Sequence, residues 1–146
     1  MPPLCLHLSI AKEAARLMQN RVVDENTGGY AYGATLPDIH IIANLRREET
    51  HFFDLSRDEY VSGARSMFRI HPELAKASAL DNAAKSVIAG YLSHLITDEI
   101  WILDIYRPFF GGTSQLAQNA MANMLDKLVQ YELDRREREI KTAMEG

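Results

Sequence analysis

The chain has 146 residues, a formal net charge of −4, and 47% hydrophobic against 25% charged residues. That composition belongs to globular rather than disordered proteins, and the length suits one domain, residues 1–146, with a substantial core. A mildly acidic chain does not offer a general nucleic-acid surface, so no stable nucleic-acid partner is expected. The one cysteine, Cys5, allows no intrachain disulfide and fits a reducing compartment. It reads as a small side chain buried on the first helix rather than as a ligand beside His7. No run is long and apolar enough for a transmembrane segment. The start, Met1 to His7, lacks the basic region and long apolar core of a secretory signal. A cytoplasmic protein is the expectation.

The apolar period is helical from the start. Leu4, His7, Ala11, Ala14 and Met18 step by three and four, which predicts a first helix from about Leu4 to Val23. Asp24 to Thr35 is rich in Gly, Asn and Thr and reads as a loop. Leu36-Pro37-Asp38 opens a short apolar piece, Ile39 to Leu45, of one or two helical turns or an extended segment. Ser56 and Glu59 form a capping box for a helix with Tyr60, Ala64, Met67 and Phe68 inward, ended by His71-Pro72. A long central helix follows from about Leu80 to Tyr106, and Arg107-Pro108 to Gly112 breaks the pattern. Thr113 or Ser114 caps a last helix with Ala117, Met121, Met124 and Leu128 towards the core. Its end, Glu132 to Glu139, alternates charge through pairs such as Glu132/Arg136 and Asp134/Arg138 and reads as a solvated face. The fold class is all-α, a single-domain helical bundle with a long buried central helix. The Met-rich last helix is where a homo-oligomer would bury surface.

Chemistry concentrates on the central helix. His94 and Asp98 lie one turn apart in the stripe Leu80, Ala84, Val87, Tyr91, His94, Asp98, Trp101, Ile105. The remaining faces are also apolar, so the helix is buried. A carboxylate there costs several kcal/mol unless neutralised. A divalent cation would satisfy both side chains, and so would a plain imidazole–carboxylate hydrogen bond. His7, Asp38 and His51 are further donors. Taken singly, His7 reads as a core histidine, Asp38 as a helix N-cap and His51 as a loop residue. Together, imidazoles and carboxylates suit zinc or a similar ion. His40 and His71 read as partly exposed and turn residues, and Trp101 as packing. Glu99, about 100° round the helix from Asp98, reads as an acid or base behind the ligands or as a partner for a nearby arginine. A guanidinium from Arg46, Arg47 or Arg107 would fit a phosphate, with at least two of the three on the surface.

Three segments in order, Gly33-Ala-Thr-Leu-Pro37-Asp38, Arg47-Glu-Glu-Thr50-His51-Phe52 and Gly90-Tyr-Leu-Ser-His94-Leu-Ile-Thr-Asp98-Glu99-Ile-Trp101, together with His7, resemble the zinc-dependent phospholipase C family over about residues 1 to 105. The resemblance implies an all-helical fold, a cluster of zinc ions and cleavage of phosphodiesters. Asp38, His51, His94 and Asp98 match the ligands of one metal. His7 matches a ligand of a second, bridged by Asp98, so one or two divalent ions are expected. An open position would hold a water whose pKa the ion lowers towards about 7, with Asp38 as the catalytic residue that also orients it. The chain departs from the family in having no histidine after His94 and no amino-terminal tryptophan. Asn119 and Asn123 repeat the one-turn spacing of a later ligand pair, but neutral amides are poor zinc ligands, so a third metal is not expected. The expected function is hydrolysis of a small phosphorylated substrate, lipid or nucleotide. The alternative is a catalytically silent relative with a structural metal. An HD-type phosphohydrolase is disfavoured, because no His-Asp dipeptide occurs.

Overall fold

The computed structural model describes residues 2–53, 58–110 and 120–145, and in the last helix the side chains of residues 124–140. Among the described residues every regular element is helical, and no helix is long and apolar enough to cross a membrane. Helix α1 spans Leu4–Met18 and stops where Gln19 turns left-handed at φ 47. The expected single helix to Val23 is therefore two. Asn20 restarts the chain by accepting from Val22 N–H at 3.0 Å, the N-cap role asparagine fills well, and α2 covers Arg21–Asp24.

The segment expected to be a loop contains α3, Thr27–Gly33. Its glycines are poor helix formers, and tertiary packing overrides them. α3 lies along α7, Asn82–Ile100, and the two backbones touch. A Cβ on Gly33 would sit 2.0 Å from the Val87 carbonyl oxygen, and one on Gly90 would sit 1.9 Å from that of Tyr30. Only glycine permits that approach. Ser86 ties the crossing by donating to the Asn26 carbonyl at 2.8 Å.

A 3-10 turn over Leu36–Ile39 and α4, His40–Ala43, follow. Next comes α5, Arg47–His51, where Glu49 accepts from the Arg46 N–H at 2.7 Å. Helix α6 is Ser62–Ile70. Ala64 and Met67 are buried as expected, whereas Tyr60 precedes the helix and is exposed. Ser56, half of the expected capping box, lies outside the described residues.

Asp81 caps α7 by accepting from Ala84 N–H at 2.7 Å. Of the expected break from Arg107 to Gly112, the part up to Phe110 is a change of pitch, and Gly111 and Gly112 lie outside the described residues. A π-helical stretch, Trp101–Tyr106, leads into α8, Arg107–Phe110, and the Arg107 N–H reaches back to Ile102. Proline lacks the N–H of an α turn and its ring crowds the carbonyl four residues back; a widened turn relieves that crowding.

Helix α9 is Ala120–Glu145 and packs on α1 and α8. Met124 and Leu128, expected inside, are each 52% exposed. Asp126 and Gln130 face inward instead, with Gln130 Nε2 donating to Asp126 Oδ2 at 2.7 Å. Glu132 pairs with Arg136 and Asp134 with Arg138 on the charged end, as expected. The Thr113/Ser114 cap, Ala117 and Asn119, and the side chains of Met121 and Asn123, are outside the described residues.

Candidate metal centre

The deepest stripe of α7 is Ser86, Gly90, His94 and Asp98, four residues apart and small or polar; Ile100 on the same helix is 43% exposed. Gly90 lets α3 close in, which brings the Ala34 carbonyl within 2.8 Å of His94 Nδ1. A carbonyl only accepts, so Nδ1 carries the proton and the Nε2 of neutral His94 presents a lone pair. His51, ending α5, is fixed in the same way. The Thr50 hydroxyl donates to the Arg47 carbonyl at 3.2 Å, so at 3.0 Å it accepts from His51 Nδ1. Both imidazoles thus aim Nε2 inward, held by outward bonds of the kind that orient metal-ligating histidines.

The two Nε2 atoms are 3.3 Å apart. Asp98 Oδ2 is 3.1 Å from that of His51 and 3.5 Å from that of His94. Asp38 Oδ1 is 3.6 Å from each. Donors about 2.0–2.1 Å from a tetrahedral zinc would be spaced by about 3.3 Å. The two imidazole nitrogens and either carboxylate lie near that spacing, at 3.1–3.6 Å. His7 completes the cluster from α1. Its ring stacks on His94 at 3.7 Å, and its Nε2 lies 3.3 Å from Asp98 Oδ1. Neither His7 nitrogen nor Asp98 Oδ1 has a hydrogen-bond partner among the described residues. All five residues expected at the site are brought together. Two groups able to hold a cation result, His7/His94/Asp98 and Asp38/His51/His94.

Burial pushes the Asp98 carboxyl up, and the His51, His7 and His94 rings pull it down by more, so it stays ionised well below the usual carboxylate range. Burial holds His51 below its ordinary value of 6.5, outweighing Asp98. The carboxylate stays low only while N–H groups or positive charge face it; with the protons of His51 and His94 held at Nδ1, a cation would fill that role.

Arg47 supplies one positive charge already. Its Nη2 donates to Asp98 Oδ2 at 2.7 Å, and its guanidinium lies over the Phe53 ring at 4.8 Å. This contact was not read from the sequence, although Arg47 stands one turn before His51 and so shares its face. Arg46 is surface, and Arg107 pairs with Asp58. Glu99 anchors the start of α6: its Oε1 accepts from Ser62 Oγ at 2.6 Å and Gly63 N–H at 2.7 Å. His40 borders the site edge-on to His51 at 5.2 Å, and His71 contacts Glu73 at the surface. Trp101 is buried.

Tyr91 donates its hydroxyl to the Thr50 carbonyl, and burial raises its phenol to about 12. It is a donor throughout the neutral range and pins the residue that orients His51. Tyr91→Phe is expected to cost about 1–2 kcal/mol by orphaning that carbonyl, read as a lower urea midpoint with unchanged slope.

Fold and site together define an all-helical protein with a His/Asp cluster able to hold a divalent ion. The sequence profile described as zinc dependent phospholipase C matches residues 6–142. The chain belongs to that family. No curated protein and no solved structure matches it.

Proposed function

We propose that the protein binds one or two divalent ions, zinc first among them, through His7, Asp38, His51, His94 and Asp98, and hydrolyses a phosphate ester there. The observation that carries this reading is the pair of inward Nε2 atoms at 3.3 Å, facing Asp98. No proton-sharing arrangement of two neutral imidazoles locked at Nδ1 explains it, whereas a shared cation does. A bound divalent ion would supply Lewis acidity and lower the pKa of a coordinated water.

The chain's own groups would do the rest. Asp38 is 27% exposed by side chain while the other donors are sealed, so it stands at the vertex where a ligand enters. It would accept a hydrogen bond from incoming water and orient it. Arg47 borders the same opening and would offset charge on phosphate oxygens.

His94→Ala tests the reading. Elemental analysis of wild type purified without chelator or histidine tag should give one to two ions per chain, and the variant should lose them. A wild type that holds no metal after zinc addition, yet is folded, would overturn the proposal. The second reading, a structural metal without turnover, is favoured by the burial of His51, His94 and Asp98, whose side chains are fully sealed and leave Asp38 alone at the solvent side, 27% exposed. Zinc retained with no chelator-sensitive phosphoesterase activity would select it.

A further inference from the structure

We propose that the pocket at the metal centre selects a phosphate monoester of an apolar alcohol over a phosphodiester with a cationic headgroup, and that Lys127 with Arg47 sets this preference. The inference deepens the phosphate-ester reading above and rests on it. The pocket has a volume of about 720 Å³, within the range of small-molecule sites. Asp38 and Arg47 stand at the metal end, and α9 contributes Lys127 and Gln130. The remaining wall is largely aliphatic, with Leu4, Leu36, Ile39 and Ile42 among its residues. A ligand filling it needs an apolar body and an anionic end.

The sign of the lining distinguishes the esters. Among the described residues Asp38 is the only acidic side chain lining the pocket, and it belongs to the donor set. A quaternary ammonium is held by carboxylates or an aromatic cage; the only described aromatic carbocycle on this wall is Tyr32, itself 59% exposed. Two cations line the pocket instead. The Arg47 fork matches phosphate oxygens. The Lys127 ammonium donates to Gln130 Oε1 at a long 3.3 Å and has two further N–H groups to offer. A phosphate monoester carries close to two negative charges at neutral pH, against one on a diester, so a pocket lined by Lys127 as well as Arg47 favours the second negative charge and disfavours a choline group.

The test is calorimetric titration of the zinc-loaded full chain with hexyl phosphate and with hexylphosphocholine, beside Lys127→Glu. Lys127 is an exposed helix residue, and circular dichroism checks that the variant folds. Hexyl phosphate should bind about tenfold tighter than hexylphosphocholine, and Lys127→Glu should erase or reverse that ratio. Equal or tighter binding of hexylphosphocholine, no binding of hexyl phosphate, or an unchanged ratio in the variant would overturn the inference. Elemental analysis of the same sample separates the two readings. Charge preference in a protein that holds no zinc would remove the metal centre and keep the pocket; zinc without charge preference would do the reverse.

Discussion

Asp98→Asn is expected to strip the protein of metal and to destabilise the metal-free fold as well. The side chain keeps its shape and loses its charge, so a cation in the His7/His94/Asp98 group loses its one carboxylate, and one in the Asp38/His51/His94 group loses the neighbouring charge 3.1 Å from His51 Nε2. Arg47 meanwhile loses the carboxylate its Nη2 contacts at 2.7 Å. Breaking a buried ion pair from one side costs about 3–5 kcal/mol; the Arg47 side chain is 18% exposed, which places the expected loss near the lower end of that range, about 3 kcal/mol. Chemical denaturation of wild type and variant, both treated with chelator, isolates this from the metal effect. A loss under about 1 kcal/mol would mean that Arg47 does not depend on Asp98. Acid should act in the same direction. His51 has its folded value depressed, so its contribution is present above 6.5 and fades as pH falls through the lower folded value. Asp98 follows, its contribution being present above about 4 and lost further into acid. The metal-free protein should therefore weaken from about pH 6.5 downward, and a stability that rose on acidification would contradict the assignment.

Gly90→Ala should be nearly as damaging, by a different route. The added methyl would stand 1.9 Å from the Tyr30 carbonyl oxygen and 2.8 Å from Ala34 N. Those are backbone atoms and cannot rotate away, so α3 must move off α7. Overpacking typically costs about 1–3 kcal/mol, occasionally more, and a backbone clash belongs at the upper end. Moving α3 also takes the Ala34 carbonyl from His94 Nδ1, freeing the ring to change tautomer. Metal affinity should fall by about ten- to a hundredfold, the usual effect of removing such a supporting bond. A Gly28→Ala control should do neither, because nothing lies within 4 Å of a Cβ there. Equal behaviour of the two variants in thermal melts and zinc titration would sink the argument.

The same glycines mark how much was legible in the sequence. Helical class and the one-turn spacing of His94 and Asp98 follow from period alone, because a long helical repeat is the strongest local signal. α3 was hidden: residues 27 to 33 carry three glycines, and their helicity comes from a partner helix that only the fold supplies. α9 offered two stripes of equal period, Met124 with Leu128 and Asp126 with Gln130. The apolar preference picked the face that is outside. At the centre, the donor residues were readable because their types are rare and chemically matched. Arg47 was passed over as one of three arginines, since what separates it from Arg46 is which side of a short helix meets α7. The angle between segments, not the residue type, decides that.

The donors are also spread along the chain in an order that constrains how the centre can come into being. His7 is on the first helix, Asp38 and His51 follow, and His94 and Asp98 come only with α7. During synthesis the first three emerge without the pair that joins them, and each bare donor binds an ion weakly. Ion capture would then wait for α7 to dock on α1 and α3, contacts that close long loops and form late. In refolding, helical signal should return ahead of the visible bands of a cobalt-substituted centre, which makes the metal a clock for the last packing step.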